Sequence, residues 1–200
     1  MSRDPHPWAA DLAALHTQIW TRLSRGVHDR HAAARHPTLA TIGKDGLPQA
    51  RTVVLRAAEK WAATLDIHTD LHSAKVAELR ADPRAALHVW DAALHLQIRI
   101  DAEVEILSGT DVTDIWDRVP EASRLAYGST PAPGQPIEDA LAYAKSPDPD
   151  AFAVLRLSVQ AIDAVHLGPD HRRARFIRDD DWAGQVAGPL TRTEPDRGED

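Results

Sequence analysis

Hydrophobic and polar residues recur along this chain in two rhythms. From Trp8 the apolar residues Leu12, Leu15, Ile19 and Leu23 return every three or four positions, which predicts an amphipathic packing helix over about residues 8–25. Asp4-Pro5-His6-Pro7 forms its entry and Gly26 its expected stop. Residues 27–36 are polar and read as helix or loop. The period then shortens to two. Residues 38–43 read as a strand, Lys44-Asp45-Gly46 as a turn, and residues 48–57 as the returning strand of a hairpin, with Asp-Gly as the strongest local signal. A strand over 65–69, a short helix over 73–80 ended by Asp82-Pro83, and strands over 85–90 and about 94–107 follow. In the last of these, Leu96, Ile98, Ile100, Ala102, Val104 and Ile106 alternate with polar residues, so one face is buried and one is wet.

From Gly109 the character changes. Two short helices are expected over 111–118 and 121–127, separated by Pro120. Residues 128–150, with Pro131, Pro133, Pro136, Pro147 and Pro149, read as loop around a candidate short helix at 137–145. Strands over 152–159, 161–167 and 172–178 come next, then a lead-out over 182–190 and a solvated tail over 191–200. About seven strands joined mainly by tight turns predict a mainly β protein with flanking helices. The expected architecture is a closed or partly closed antiparallel barrel in one domain over residues 1–190. No glycine-rich loop follows a strand, so nothing supports a doubly wound dinucleotide-binding sheet.

Composition narrows the function classes. A chain of 200 residues, 43% hydrophobic, is long enough to bury about 70% of its unfolded surface. Its formal net charge of −7 argues against a nucleic-acid partner, which needs a clustered excess of Lys and Arg. The absence of cysteine removes disulfides, thiolate nucleophiles and cysteine metal sites, so redox chemistry would require a bound cofactor. The first eight residues carry two prolines and two charges where a signal peptide needs an apolar run, and no stretch approaches the ~20 apolar residues of a membrane span. A cytoplasmic protein without a membrane partner is expected.

The candidate chemistry sits in two neighbouring segments. Arg51-Thr52-Val53-Val54-Leu55-Arg56 reads as a strand with an arginine at each end, and His68-Thr69-Asp70-Leu71-His72-Ser73-Ala74-Lys75 as a strand running into the first turn of a helix. Cations therefore converge on a helix N-terminus, where free N–H groups and the helix dipole favour an anion. His68 and His72 have metal-pair spacing only on a continuous helix, and His68 ends a strand, so no metal site is expected. The basic run 171–178 alternates between two faces of a strand and forms no single patch.

These two segments, with Gln97 and His171-Arg172-Arg173-Ala174-Arg175-Phe176, resemble in order and spacing the pyridoxamine 5′-phosphate oxidase family of FMN-binding split barrels. The resemblance covers about residues 38–108 and returns over about 152–190. It implies a homodimer with two FMN sites at the subunit interface, each built from both chains. By position, Arg51, Thr52, Val53, Val54, Leu55 and Arg56 would line the flavin. Arg51, Ser73 and Lys75 would hold its phosphate beside His68 and Thr69, while Gln97 and Arg175 would reach the ring. Arg56, His171 and Arg173 become candidates for contact with a small-molecule substrate. Three departures stand out: Ala74 replaces an arginine at the phosphate, Val165 replaces a tryptophan near the flavin, and the substrate-gripping Arg-x-His triplet reads His171-Arg172-Arg173. The resulting expectation is an FMN-dependent oxidoreductase. A non-catalytic flavin- or haem-binding module and a true pyridoxamine 5′-phosphate oxidase are the alternatives.

Overall fold

The structure, a computed structural model, describes residues 5–168, 170–179 and 182–187. A 3-10 turn at Pro7–Ala10 precedes helix α1, Leu12–His28. The Asp11 side chain caps this helix by accepting a hydrogen bond from the Ala14 N–H at 2.7 Å. The helix therefore starts later than the apolar pattern predicted. It also runs through Gly26 rather than stopping there, because a Cβ at Gly26 would stand 2.7 Å from the Ala34 backbone. That glycine serves a close approach, not a helix end.

Strands β1 (Thr38–Ile42) and β2 (Pro48–Thr52) form the expected hairpin. The single strand expected over 48–57 is two, since β3 (Leu55–Glu59) pairs with β4 (Thr64–Asp70) rather than with β1. Val53 and Val54 bridge this change of partner. Helix α2 (Ala74–Ala81) follows, then β5 (Arg84–Asp91) and β6 (Leu96–Ser108). Helices α3 (Thr113–Arg118) and α4 (Glu121–Arg124) are shorter than expected. In place of the helix expected at 137–145 there is a two-residue ladder of β7 (Ser129–Thr130) with β8 (Ala144–Lys145).

The two strands expected around residue 160 are one, β9 (Phe152–His166). Its register against β6 shifts between Asp101 and Ala102, and this bulge switches the core-facing positions from Leu155, Leu157 and Val159 to Ile162 and Ala164. A local slip reads as a break when only the alternation is visible. β10 (Arg172–Ile177) and β11 (Ala183–Ala187) complete the sheet, β11 occupying part of the expected lead-out. Residues 188–190 of that lead-out and the tail 191–200 lie outside the described residues.

Apart from the separate β7-β8 ladder, the described strands form one sheet, whose main path runs β11-β10-β9-β6-β5-β1-β2. One edge of β9 pairs with β6; the other is shared, its first half taken by β4 and its second by β10. β3 hangs on β4, and β2 and β3 are joined through the chain but not by a ladder, so the antiparallel sheet curls without closing. This is a split barrel. Leu39, Leu55, Leu65, Leu87, Ile98 and Ile100 fill it, and Ile19 and Leu23 of α1 pack onto it. A smaller cluster of Val112, Trp116, Tyr127 and Phe152 anchors α3 and the proline-rich segment. Among the described residues no helix is long and apolar enough to cross a membrane.

Candidate functional site

One end of the barrel gathers the predicted anion-binding residues. Arg51 of β2 stands opposite Leu39, so its side chain turns inward toward α2. Thr69 ends the inward row of β4, where its hydroxyl lies 3.2 Å from Ser73 Oγ and accepts a hydrogen bond from Lys75 Nζ at 3.0 Å. Ser73 occupies the N-cap position of α2 and its hydroxyl accepts no cap bond; the Val76 N–H turns back to the Ser73 carbonyl at 3.0 Å, which leaves the Ala74 and Lys75 N–H groups without an intrahelical partner. Burial, reinforced by the nearby Arg51 guanidinium, lowers the Lys75 pKa, while Asp70 and Glu78 oppose that shift. Two cations, two hydroxyls and the free N–H groups of an eight-residue helix suit a phosphate monoester.

The sequence did not reveal Glu78. Its carboxylate accepts hydrogen bonds from Thr41 Oγ1 at 2.6 Å and Arg51 Nη2 at 2.7 Å, and Arg51 Nη1 also donates to Thr41 Oγ1. Asp70, 4% exposed, accepts from the backbone N–H of His72 at 2.8 Å and of Gly128 at 2.9 Å. It thereby ties the proline-rich segment to the turn before α2.

Between these residues and the opposite end of β3 the chain changes face. Thr52 is exposed, Val53 is buried and donates its N–H to the Pro37 carbonyl at 3.0 Å, and Val54 belongs to neither neighbouring ladder. Leu55 is fully buried in the core and its carbonyl is taken by Arg35, so it offers no surface to a ligand. Arg56 turns away from the core into a cavity of about 480 Å³ shared with Arg35, His68, Arg118, Val119 and Arg156. The Arg56 Nε is buried without a hydrogen-bond partner. Arg35 is held by the Val27 and Leu55 carbonyls at 2.8 and 3.2 Å, and Arg156 by a two-point pair with Asp66 at 3.0 and 2.9 Å. Burial, then the nearby Arg56 charge, push the His68 imidazole down to about 4 against a weaker pull from Asp66, so the ring is neutral at pH 7.

The remaining predicted residues lie elsewhere. Gln97, Val165 and Arg173 form one cross-strand row over β6, β9 and β10, and Arg175 stands in the next row of that face, opposite Asp163. Arg173 is not a free cation: it makes a two-point pair with Asp163 at 2.9 and 2.6 Å, and this bond lowers the Asp163 pKa. Arg175 is exposed and stands 4.0 Å from Asp101. His171 is half-buried just before β10. Thr69 pairs with Ala153 and Gln97 with Val165, twelve positions further along β9, about 40 Å in an extended strand. The bulge also puts them on opposite faces, Thr69 inward and Gln97 outward.

The family model of the pyridoxamine 5′-phosphate oxidase FMN-binding domain matches residues 16–108. A pyridoxine/pyridoxamine 5′-phosphate oxidase from Synechocystis sp. is 32% identical over 167 residues, which span 76% of this chain and 77% of that protein. The chain belongs to the pyridoxamine 5′-phosphate oxidase family. It carries that family's FMN-binding domain. Within the family, the pyridoxine/pyridoxamine 5′-phosphate oxidase 2 of Arabidopsis thaliana is 29% identical over 175 residues, 78% of this chain and 87% of the relative. The crystal structure of a pyridoxamine 5′-phosphate oxidase-related, FMN-binding protein from Nostoc punctiforme superimposes with a TM-score of 0.72 at 27% identity, covering 94% of this chain and all of that one. PhzG from Burkholderia lata, at 20% identity and a TM-score of 0.70 over 94% of this chain and 98% of its own, shares the fold. The matched segment contains every residue of the phosphate-suited cluster and ends before β9.

Proposed function

We propose that the protein is an FMN-dependent oxidoreductase of small organic molecules that works as a homodimer, with each flavin site built from both chains. The observation that carries this reading is the convergence of Arg51, Thr69, Ser73 and Lys75 on the start of α2. Arg51, Ser73, Lys75 and the first-turn N–H groups hold the phosphate. The half-buried Val54 offers its apolar side chain and unladdered backbone to the ring, with the core-packed Val53 fixing it from behind.

The separation of the two residue groups supports the dimer. Arg175 and Gln97 face outward about 33 and about 40 Å along β9 from the inward-facing Thr69, further than one flavin mononucleotide reaches. A second copy that lays its β6-β9-β10 face over the first copy's cluster supplies both residues to one cofactor. FMN, when bound, supplies the electron-accepting chemistry. The chain's part is to fix the phosphate, wall off water and present cations to the substrate. Arg56 is the principal substrate cation, since it lines the cavity and the neutral His68 beside it does not compete for an anion. His171 and Arg173 approach from the second chain, Arg173 with only the donors that Asp163 leaves free.

Oxidation of pyridoxamine 5′-phosphate itself is a second reading, favoured by similarity over most of the Arabidopsis and Synechocystis relatives. The altered triplet His171-Arg172-Arg173 ranks it below an unidentified substrate. Titration of the protein with FMN, followed by flavin fluorescence and thermal melting, tests the main reading, which fails if neither signal changes. Turnover of pyridoxamine 5′-phosphate at an ordinary enzymatic rate would promote the second reading over the first.

A further inference from the structure

We propose that Glu78 is a built-in competitor for the cofactor phosphate, one that sets how tightly this protein holds FMN relative to flavins without a phosphate. The inference rests on the reading of the Arg51–Lys75 cluster as the phosphate site. Glu78 projects from the second turn of α2 with its side chain 10% exposed, and its Oε2 is shared by Thr41 at 2.6 Å and Arg51 at 2.7 Å. Three elements, β1, β2 and α2, converge on that one oxygen. A carboxylate so fixed is the first anion Arg51 meets.

The local charge count makes the consequence large. Arg51 and Lys75 are the cations of the cluster; Glu78 and the buried Asp70 are carboxylates whose fields both act on Lys75. The positive charges are already matched, and Ala74 adds none. A phosphate monoester brings a further charge of about −1.5 to −2. To bind, it must share or take the Arg51 guanidinium from Glu78 while lying beside a fixed like charge. Glu78 therefore works against the phosphate and not against the ring. It also keeps Arg51 satisfied and in place before the cofactor arrives, which suits a site that exchanges FMN.

The test uses the full chain stripped of endogenous flavin, titrated with FMN and separately with riboflavin. Glu78→Gln keeps the size of the side chain and its bonds to Arg51 and Thr41 while removing the charge. It is expected to tighten FMN binding by about tenfold or more and to leave riboflavin binding unchanged. Glu78→Asp keeps the charge and should stay within about threefold of wild type for both ligands. Should Glu78→Gln not fold, as judged by circular dichroism, Glu78→Ala read in the same way removes the same charge. FMN affinity that is unchanged or weaker on removal of the charge overturns the inference and leaves Glu78 a structural partner of Arg51. Equal tightening of both flavins overturns it too. A wild-type protein that binds neither flavin refutes the cofactor site itself, and Glu78's role with it.

Discussion

Acidification should destabilise this fold through His68. The ring packs edge-on to Phe152, with centroids 5.0 Å apart at 83°, and faces the Arg56 cavity. Burial and then the Arg56 charge bring its pKa from 6.5 to about 4, with Asp66 opposing. The folded value lies below the unfolded one, so the unfolded chain takes up the proton first. The contribution of His68 is therefore intact above pH 6.5 and is lost as the pH falls from 6.5 through 4. The full gap corresponds to about 3 kcal/mol, and solvent access on the cavity side reduces this to about 1–2 kcal/mol. Urea unfolding at pH 7 and pH 4.5 reads the effect, with His68→Gln as the reference. Wild type should lose about 1–2 kcal/mol more than the variant over that interval, because the other titrating groups are common to both. Identical pH dependence in the two proteins would refute the burial of a neutral imidazole beside Arg56.

Other outcomes follow from the same geometry. Arg51→Ala removes charge-assisted bonds worth about 1.5–3 kcal/mol, so FMN affinity should drop by about 10- to 100-fold while riboflavin binding changes little, as read by fluorescence titration. Phe152→Ala opens the cluster of Trp116, Tyr127 and His68 and should cost about 3–5 kcal/mol in chemical denaturation. Gly26→Ala drives a methyl group into the Ala34 backbone and should cost about 1–3 kcal/mol in the same assay. Mixed dimers of Arg51→Ala and Arg175→Ala chains should hold FMN in one of their two sites, since one site inherits both changes and the other neither; mass spectrometry of the intact dimer reads the count.

The parts of the fold that depend on local chemistry were legible in the sequence. The 38–52 hairpin, the alternating β6 and the short α2 all follow from period and turn residues, and the grouping of Thr69, Ser73 and Lys75 follows from a strand that feeds a helix. What escaped depends on partners distant in the chain. The break at Val53-Val54 exists because β2 pairs with β1 and β3 with β4. Gly26 sits inside a helix because Ala34 crosses it, a contact invisible to spacing. Arg173 looked like a free substrate cation until the β9–β10 register set it beside Asp163. Nothing in the helical pattern over 73–80 set Glu78 apart. Its one signal was its place three residues after Lys75, which puts both on one helical face.

The most direct measurement is the absorption spectrum and flavin content of the purified protein, before and after incubation with FMN. A flavin spectrum with one FMN per chain, two per dimer, is the expected result. A colourless protein that neither quenches FMN fluorescence nor melts at a higher temperature in its presence would contradict the reading of Arg51, Ser73 and Lys75 as a cofactor site.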